Sequence, residues 1–283
     1  MAIKKVGVVG CGAMGAGIAQ VCAHSGYQVV ISEINDELLS KGLASINSFL
    51  TKSVEKGKLS QQDKDALLSR IKGTTNTQDL ADCDLVIEAV IENMDLKKKI
   101  FTELDKICPG HAILATNTSC LSIIDLATAT SRPDKVLGLH FFNPVPLMKL
   151  LEIVKTIATS DDTLEIAKDF GKTLGKTAVI AQDAPGFIVN RLMIPFILNA
   201  IRMLDAGVAT REDIDTGINL GLNHPMGPLT LADLIGLDTL YFMAASIYDE
   251  FKDPQYASPP LLSKMVTDGW LGRKTGKGFY DYE

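Results

Sequence analysis

The sequence predicts a doubly wound, mostly parallel α/β sheet followed by a smaller all-helical domain. Three observations carry that reading. In the first part of the chain, short apolar runs alternate with amphipathic helical stretches, the pattern of a parallel sheet covered by helices. Gly10-Cys11-Gly12-Ala13-Met14-Gly15 sits between the first strand pattern and the first helix pattern. After Asp183-Ala184-Pro185-Gly186 the strand patterns stop and long helix-periodic segments take over. Those residues are the natural boundary, giving domains of 1–185 and 186–283.

Taken in order, Val6-Gly7-Val8-Val9 is an apolar run ended by glycine, as a buried strand requires. A helix follows through Ile18, Ala19, Val21, Cys22 and Ala23 to Ser25-Gly26, and residues 28–32 form the next strand. A long amphipathic helix carries Leu38, Leu39, Leu43, Ile46, Phe49, Leu50 and Val54. Ser60 and Asp63 read as a cap for a further helix bearing Leu67, Leu68 and Ile71. Residues 85–89, 112–116, 136–140, 150–154 and 178–181 complete the strands. Beyond the boundary, helices are expected over residues 187–206, with a kink at Pro195, over 214–220 behind a Thr210-x-x-Asp213 cap, and over 237–251.

Lys plus Arg number 28 against 34 Asp plus Glu, a net charge of -6 that argues against nucleic-acid binding, which needs clustered positive charge. No apolar run is long enough to span a bilayer. The chain enters its first strand pattern directly after Met1-Ala2-Ile3-Lys4-Lys5, leaving no room for a leader. Its 5 cysteines are scattered and lack a CxxC spacing, so neither a disulfide framework nor a metal site is expected. A reducing, cytoplasmic setting is the expectation.

The glycine-rich run is GxGxxG, following a strand and opening a helix. Gly10 permits the tight turn, Gly12 lets backbone approach a pyrophosphate, and Gly15 lets helix and strand pack closely. Cys11, Ala13 and Met14 supply the intervening backbone, whose N–H groups face the ligand at the positive end of the helix dipole. Glu33 ends the second strand, where a carboxylate accepts both ribose hydroxyls and repels a 2′-phosphate. A Rossmann-type site for NAD, in preference to NADP, is the expectation.

A second constellation lies on the rim where strands leave the sheet. It comprises Asn117-Thr118-Ser119, then Gly138-Leu139-His140-Phe141-Phe142-Asn143-Pro144-Val145-Pro146, then Glu152, and finally Pro185-Gly186-Phe187-Ile188-Val189-Asn190-Arg191. An imidazole takes up and returns a proton near neutral pH, so His140 suits acid–base chemistry. Each residue alone has a plainer role: His140 in a core, Ser119 as a helix cap, Glu152 or Asn190 as a surface polar group.

These segments, with the terminal Lys274-Thr275-Gly276-Lys277-Gly278-Phe279-Tyr280, resemble the 3-hydroxyacyl-CoA dehydrogenase family along nearly the whole chain. The short form without a fused hydratase looks most like the bacterial 3-hydroxybutyryl-CoA dehydrogenases. The resemblance implies hydride transfer between NAD(H) and a short-chain (S)-3-hydroxyacyl-CoA and 3-ketoacyl-CoA pair. It implies that His140 is the acid–base group, that Glu152 orients it, and that Ser119 and Asn190 hold the reacting oxygen and the nicotinamide side. Further cofactor contacts implied are Glu92, Lys97, Ser119, Asn143 and Lys274. Lys52 and Lys56, on one helix face, are implied to meet the CoA phosphates, with Ser119 also touching substrate. A two-fold homodimer is expected, because residues 187–206 are apolar on more sides than one domain covers. The alternatives are a dehydrogenase of a free small hydroxy acid or sugar acid on the same scaffold, and a non-catalytic NAD-sensing protein. Lys52 and Lys56 favour the thioester, and the complete set Ser119, His140, Glu152 and Asn190 favours catalysis.

Overall fold

A computed structural model describes residues 3–282, which divide between Asp183 and Ala184 into two units. The first unit begins with β1 (Lys5–Val9), α1 (Ala13–His24), β2 (Gln28–Ser32), α2 (Asp36–Glu55), α3 (Gln61–Leu68) and β3 (Ile71–Thr74). It continues through β4 (Leu85–Glu88), α4 (Met94–Ile107), β5 (Ile113–Thr116), α5 (Ile123–Ala127) and β6 (Val136–Phe141), and ends with β7 (Leu150–Lys155), α6 (Asp161–Thr173) and β8 (Thr177–Gln182). All eight strands form one sheet in the order β3-β2-β1-β4-β5-β6-β7-β8. Every neighbouring pair is parallel except β6 and β7.

The central strands read as continuous apolar runs because helices cover both of their faces. Val6, Val8, Ile87, Leu114 and Leu139 are all fully buried. α1 is buried from Gly15 through Ala23 and is built largely of small residues. They are small because its neighbours are close: a Cβ on Gly15 would fall 1.8 Å from the Gly10 carbonyl oxygen. One on Gly17 would meet Val145 at 2.8 Å, in the loop that follows β6. α2 buries Leu39, Gly42, Ile46 and Leu50, one stripe at helical spacing. Asn35 and Ser60 cap α2 and α3 by accepting from the Leu38 and Asp63 amides.

Ile71, expected at the end of the α3 helix, instead opens β3 beside β2. Lys72 and Gly73 interrupt any apolar run there, so a four-residue edge strand leaves almost no alternating pattern. No helix was assigned individually where α4, α5 and α6 lie.

The second unit is helical: α7 (Val189–Asp205), α8 (Arg211–Gly221), α9 (Pro228–Ile235), α10 (Leu237–Phe251) and α11 (Pro260–Thr267). Of these, α9 and α11 had no sequence signal that was recognised. Pro195 lies inside α7, and Thr210 caps α8 by accepting from the Asp213 amide at 3.1 Å. Ile194, Ile197, Leu198 and Ile201 pack with Leu229, Leu237, Leu240 and Ile247.

Two buried carboxylates fasten the C-terminal segment to this core. Asp215 accepts from Leu229 N, Thr230 N and the Tyr280 hydroxyl at 2.8, 2.9 and 3.0 Å. Asp233 accepts from Phe279 N, Tyr280 N and the Tyr282 hydroxyl at 2.9, 3.0 and 2.9 Å. Burial pushes the Asp233 carboxyl up, against the pull of those same hydrogen bonds. Among the described residues no single helix is long and apolar enough to cross a membrane. α9 and α10 pass such a test together by length and composition only, and they are bent by 96°.

Candidate active site

The antiparallel β6–β7 pair sets the site. Strands β1 to β6 keep their C-terminal ends on one rim, whereas β7 and β8 run back, and β7 pairs His140 directly with Glu152. Opposed residues in an antiparallel pair project on the same side of the sheet at close range. The two side chains meet at 2.6 Å, Nδ1 to Oε2, with His140 4% exposed and Glu152 0%. An ionised carboxylate only accepts, so Nδ1 is the donor of this bond, and in a neutral ring the lone pair then falls on Nε2. Ser119 Oγ lies 3.2 Å from Nε2. The Phe142 ring packs on the imidazole with centroids 4.6 Å apart.

The strand ends are tied together beside this pair. Asn117, the residue after β5, accepts from the Phe141 amide through Oδ1 at 2.9 Å. That bond fixes the Ser119 segment against the His140 strand. Asn143 is exposed and precedes Pro144 through a cis peptide bond.

Glu92 and Lys97 belong to a polar cluster at the ends of β4 and β5. Glu92 Oε1 accepts from Ser119 N at 2.9 Å, from Cys120 N at 3.4 Å and from the Thr118 hydroxyl. Lys97, on α4, is 1% exposed. Its Nζ lies 2.6 Å from Glu88 and 3.3 Å from Glu92. Sequence reasoning named Asn117 and Thr118 only as neighbours of Ser119, and it gave no role to Thr116 or Glu88. A glutamate inside the apolar run Leu85-Val86-Ile87-Glu88 was the available signal, since carboxylates are rarely buried without a partner.

The dinucleotide cradle stands at the ends of β1 and β2. Gly10 takes φ +99°, where a side chain would be strained, and its Cβ would strike the Ala89 carbonyl at 2.7 Å. A Cβ on Gly12 meets nothing within 4 Å, so the backbone there is open to a ligand. Glu33 accepts from Cys11 N at 2.7 Å and from Ile34 N at 2.8 Å. The longer glutamate therefore reaches back to the glycine-rich turn while its other lone pairs stay available. Burial, with the Glu33 charge adding, pushes the Cys11 thiol up to about 11, so this cysteine is neutral and unreactive. These residues fit the diphosphate and ribose of a dinucleotide.

Lys52 and Lys56 both line a groove of about 360 Å³ between α1, α2 and the loop after β6. Lys58 and His24, neither singled out in the sequence, line it too, with Phe49 and Leu147 as apolar walls. Two predicted residues lie in the second unit. Asn190 is buried in the first turn of α7. Lys274 sits in a 3₁₀ turn with Nζ 2.5 and 2.6 Å from the two oxygens of Asp238.

Residues 5–184 match the family model for the 3-hydroxyacyl-CoA dehydrogenase NAD binding domain, and residues 186–282 match the model for the C-terminal domain. A 3-hydroxybutyryl-CoA dehydrogenase of Mycobacterium tuberculosis is 47% identical over 283 residues, covering 99% of each chain. One from Clostridioides difficile is 48% identical over 278 residues, covering 98% of this chain and 99% of its own. The crystal structure of the (S)-3-hydroxybutyryl-CoA dehydrogenase from Ralstonia eutropha superposes with a TM-score of 0.97 at 48% identity, covering all of both chains. The chain belongs to the 3-hydroxyacyl-CoA dehydrogenase family.

Proposed function

We propose that this chain is an NAD-dependent (S)-3-hydroxybutyryl-CoA dehydrogenase, interconverting that thioester and acetoacetyl-CoA. One observation carries the chemistry: the His140 imidazole is held between a buried carboxylate and Ser119, with Nε2 presented to the rim. When bound, NAD supplies the hydride acceptor and NADH the donor.

In the oxidation direction His140 Nε2 takes the substrate hydroxyl proton as the carbonyl forms. Glu152 stabilises the resulting imidazolium and keeps the ring in one tautomer. Ser119 hydrogen-bonds the reacting oxygen, orienting it and sharing the charge that develops when the ketone is reduced. In that reverse direction His140 returns the proton. Phe142 covers one side of the ring and limits access by water. Gly10 to Gly15 and Glu33 hold the pyrophosphate and the adenosine ribose. Within the first unit, Glu92 and Asn143 complete the cofactor side.

The groove with Lys52, Lys56, Lys58 and His24 receives the CoA nucleotide. Cationic tips suit its phosphates, and the Phe49 and Leu147 walls suit the apolar parts of the handle.

The active particle is a two-fold dimer built through the second unit. Leu192, Leu220 and Phe242 there are 71, 80 and 69% exposed, an excess of apolar surface for one copy. Light scattering should give about twice the 30.5 kDa chain mass; a monomer at micromolar concentration would contradict this. All five cysteines are buried and none is in a disulfide, which suits a reducing cytoplasmic compartment, a location that cell fractionation checks.

His140→Gln should lower kcat for acetoacetyl-CoA reduction by a factor of about 10² to 10⁴ while NADH affinity changes little. Glu152→Gln should act in the same direction and more mildly. Steady-state kinetics with direct NADH titration check both, and near wild-type turnover in His140→Gln removes that residue from the mechanism. Lys56→Glu should raise KM for acetoacetyl-CoA several-fold and leave KM for NADH unchanged, since the glycine-rich turn and Glu33 are not groove walls. Added salt should reproduce part of that defect in the wild type. An acetoacetyl-pantetheine thioester, which lacks the nucleotide, should be indifferent to the substitution. Equal weakening of both thioesters would place the CoA phosphates elsewhere.

A further inference from the structure

Glu88 is fully buried at the end of β4, among apolar strand residues. It is saturated with donors: Oε1 accepts from Lys97 Nζ at 2.6 Å and Val90 N at 2.7 Å, and Oε2 accepts from Thr116 Oγ1 at 2.7 Å. Lys97, equally buried, also reaches Glu92 at 3.3 Å and the Val90 carbonyl at 3.4 Å. Glu92 in turn accepts from the Thr118 hydroxyl and from Ser119 N at 2.9 Å. Thr116 Oγ1 accepts from Thr118 N at 3.1 Å. A continuous polar chain therefore runs from Glu88 through Lys97 and Glu92 to the backbone of Ser119, whose hydroxyl lies 3.2 Å from His140.

Charge balance gives this chain its direction. With Lys97 held by Glu88, the ammonium is fixed in the core and shared, so the half-exposed Glu92 is drawn to a defined place. Without the Glu88 charge, Glu92 is the only carboxylate among the described residues within ion-pair range of that ammonium, and the pair tightens at the expense of the bonds Glu92 accepts from Thr118 and Ser119. A buried ion pair is a poor source of net stability and a good source of fixed geometry.

We propose that Glu88 is a positioning residue for the hydride transfer: through buried Lys97 it holds Glu92, and through Glu92 the backbone that sets Ser119 against His140. The assignment rests on the reading of Ser119 and His140 given above. It places Lys97 one step removed from the reacting groups, acting through Glu92.

The test is a double-mutant cycle between Glu88→Gln and Ser119→Ala, read as kcat and KM for acetoacetyl-CoA at saturating NADH. Glu88→Gln should lower kcat by about tenfold to a hundredfold, the effect of a small misplacement of a reacting group, with KM changed less than about twofold. In the Ser119→Ala background the same substitution should change kcat by less than about twofold, because the group it positions is gone. Thr116→Val, which removes one Glu88 bond and the Thr118 amide bond at nearly constant volume, should give a several-fold loss with the same silence in Ser119→Ala. It carries the test if Glu88→Gln does not fold. Additive losses in the cycle, or an unchanged kcat in Thr116→Val, overturn the proposal while leaving the Ser119 role intact. Wild-type kcat in Ser119→Ala alone overturns the Ser119 reading, and the proposal with it.

Discussion

The contact between His140 and Glu152 is the interaction on which the rest of the site depends. It exists because β7 reverses direction against β6, making two residues twelve apart in sequence direct cross-strand partners. Both are buried, so neither can exchange its partner for water without leaving the sheet. The imidazole is thereby locked in orientation and tautomer before any ligand arrives. In the proposed role of general base this matters more than an unusual proton affinity, because misorientation removes the ring from the reacting atom altogether. The neighbouring groups serve that geometry. Asn117 ties the β5 end to Phe141, Phe142 closes one side of the ring, and the Glu92 cluster fixes the Ser119 backbone.

The cofactor end is built on a different principle. It combines backbone pressed close at Gly10, backbone left open at Gly12, and one carboxylate at the end of β2. Glu33 accepts from Cys11 N and Ile34 N, so the glycine-rich turn and this carboxylate form one unit. Gly42 of α2 presses on the same turn: a Cβ there would fall 2.2 Å from the Cys11 carbonyl oxygen. The helix that carries Lys52 and Lys56 toward its end is thus seated on the dinucleotide turn at its start.

Much of this was legible in the sequence, for physical reasons that differ by residue. Buried parallel strands are mostly apolar, so residues 85–89 and 136–140 announced themselves, and caps such as Thr210 and Ser60 marked helix starts. The glycine-rich turn was legible because its geometry admits almost no other residues. Strand β3 was not, because an edge strand of four residues with Lys72 and Gly73 inside it has no apolar run. The direction of β7 was also hidden: a strand pattern carries no sign, and the His140–Glu152 contact follows from that sign alone. Lys97 begins a run of three lysines, yet it is buried against Glu88 while Lys99 is exposed. A buried charge can be suspected from composition, but its partner is set by tertiary packing.

The most direct measurement is the protonation pattern of His140, read by nitrogen-15 NMR of the imidazole in the ligand-free enzyme. Above the pH at which the ring becomes neutral, Nδ1 should carry the proton and Nε2 should show the shift of an unprotonated, lone-pair nitrogen. Glu152→Gln should weaken that preference and broaden the signals of both nitrogens. A neutral ring with the proton on Nε2, or a tautomer indifferent to Glu152→Gln, would contradict the account at its centre.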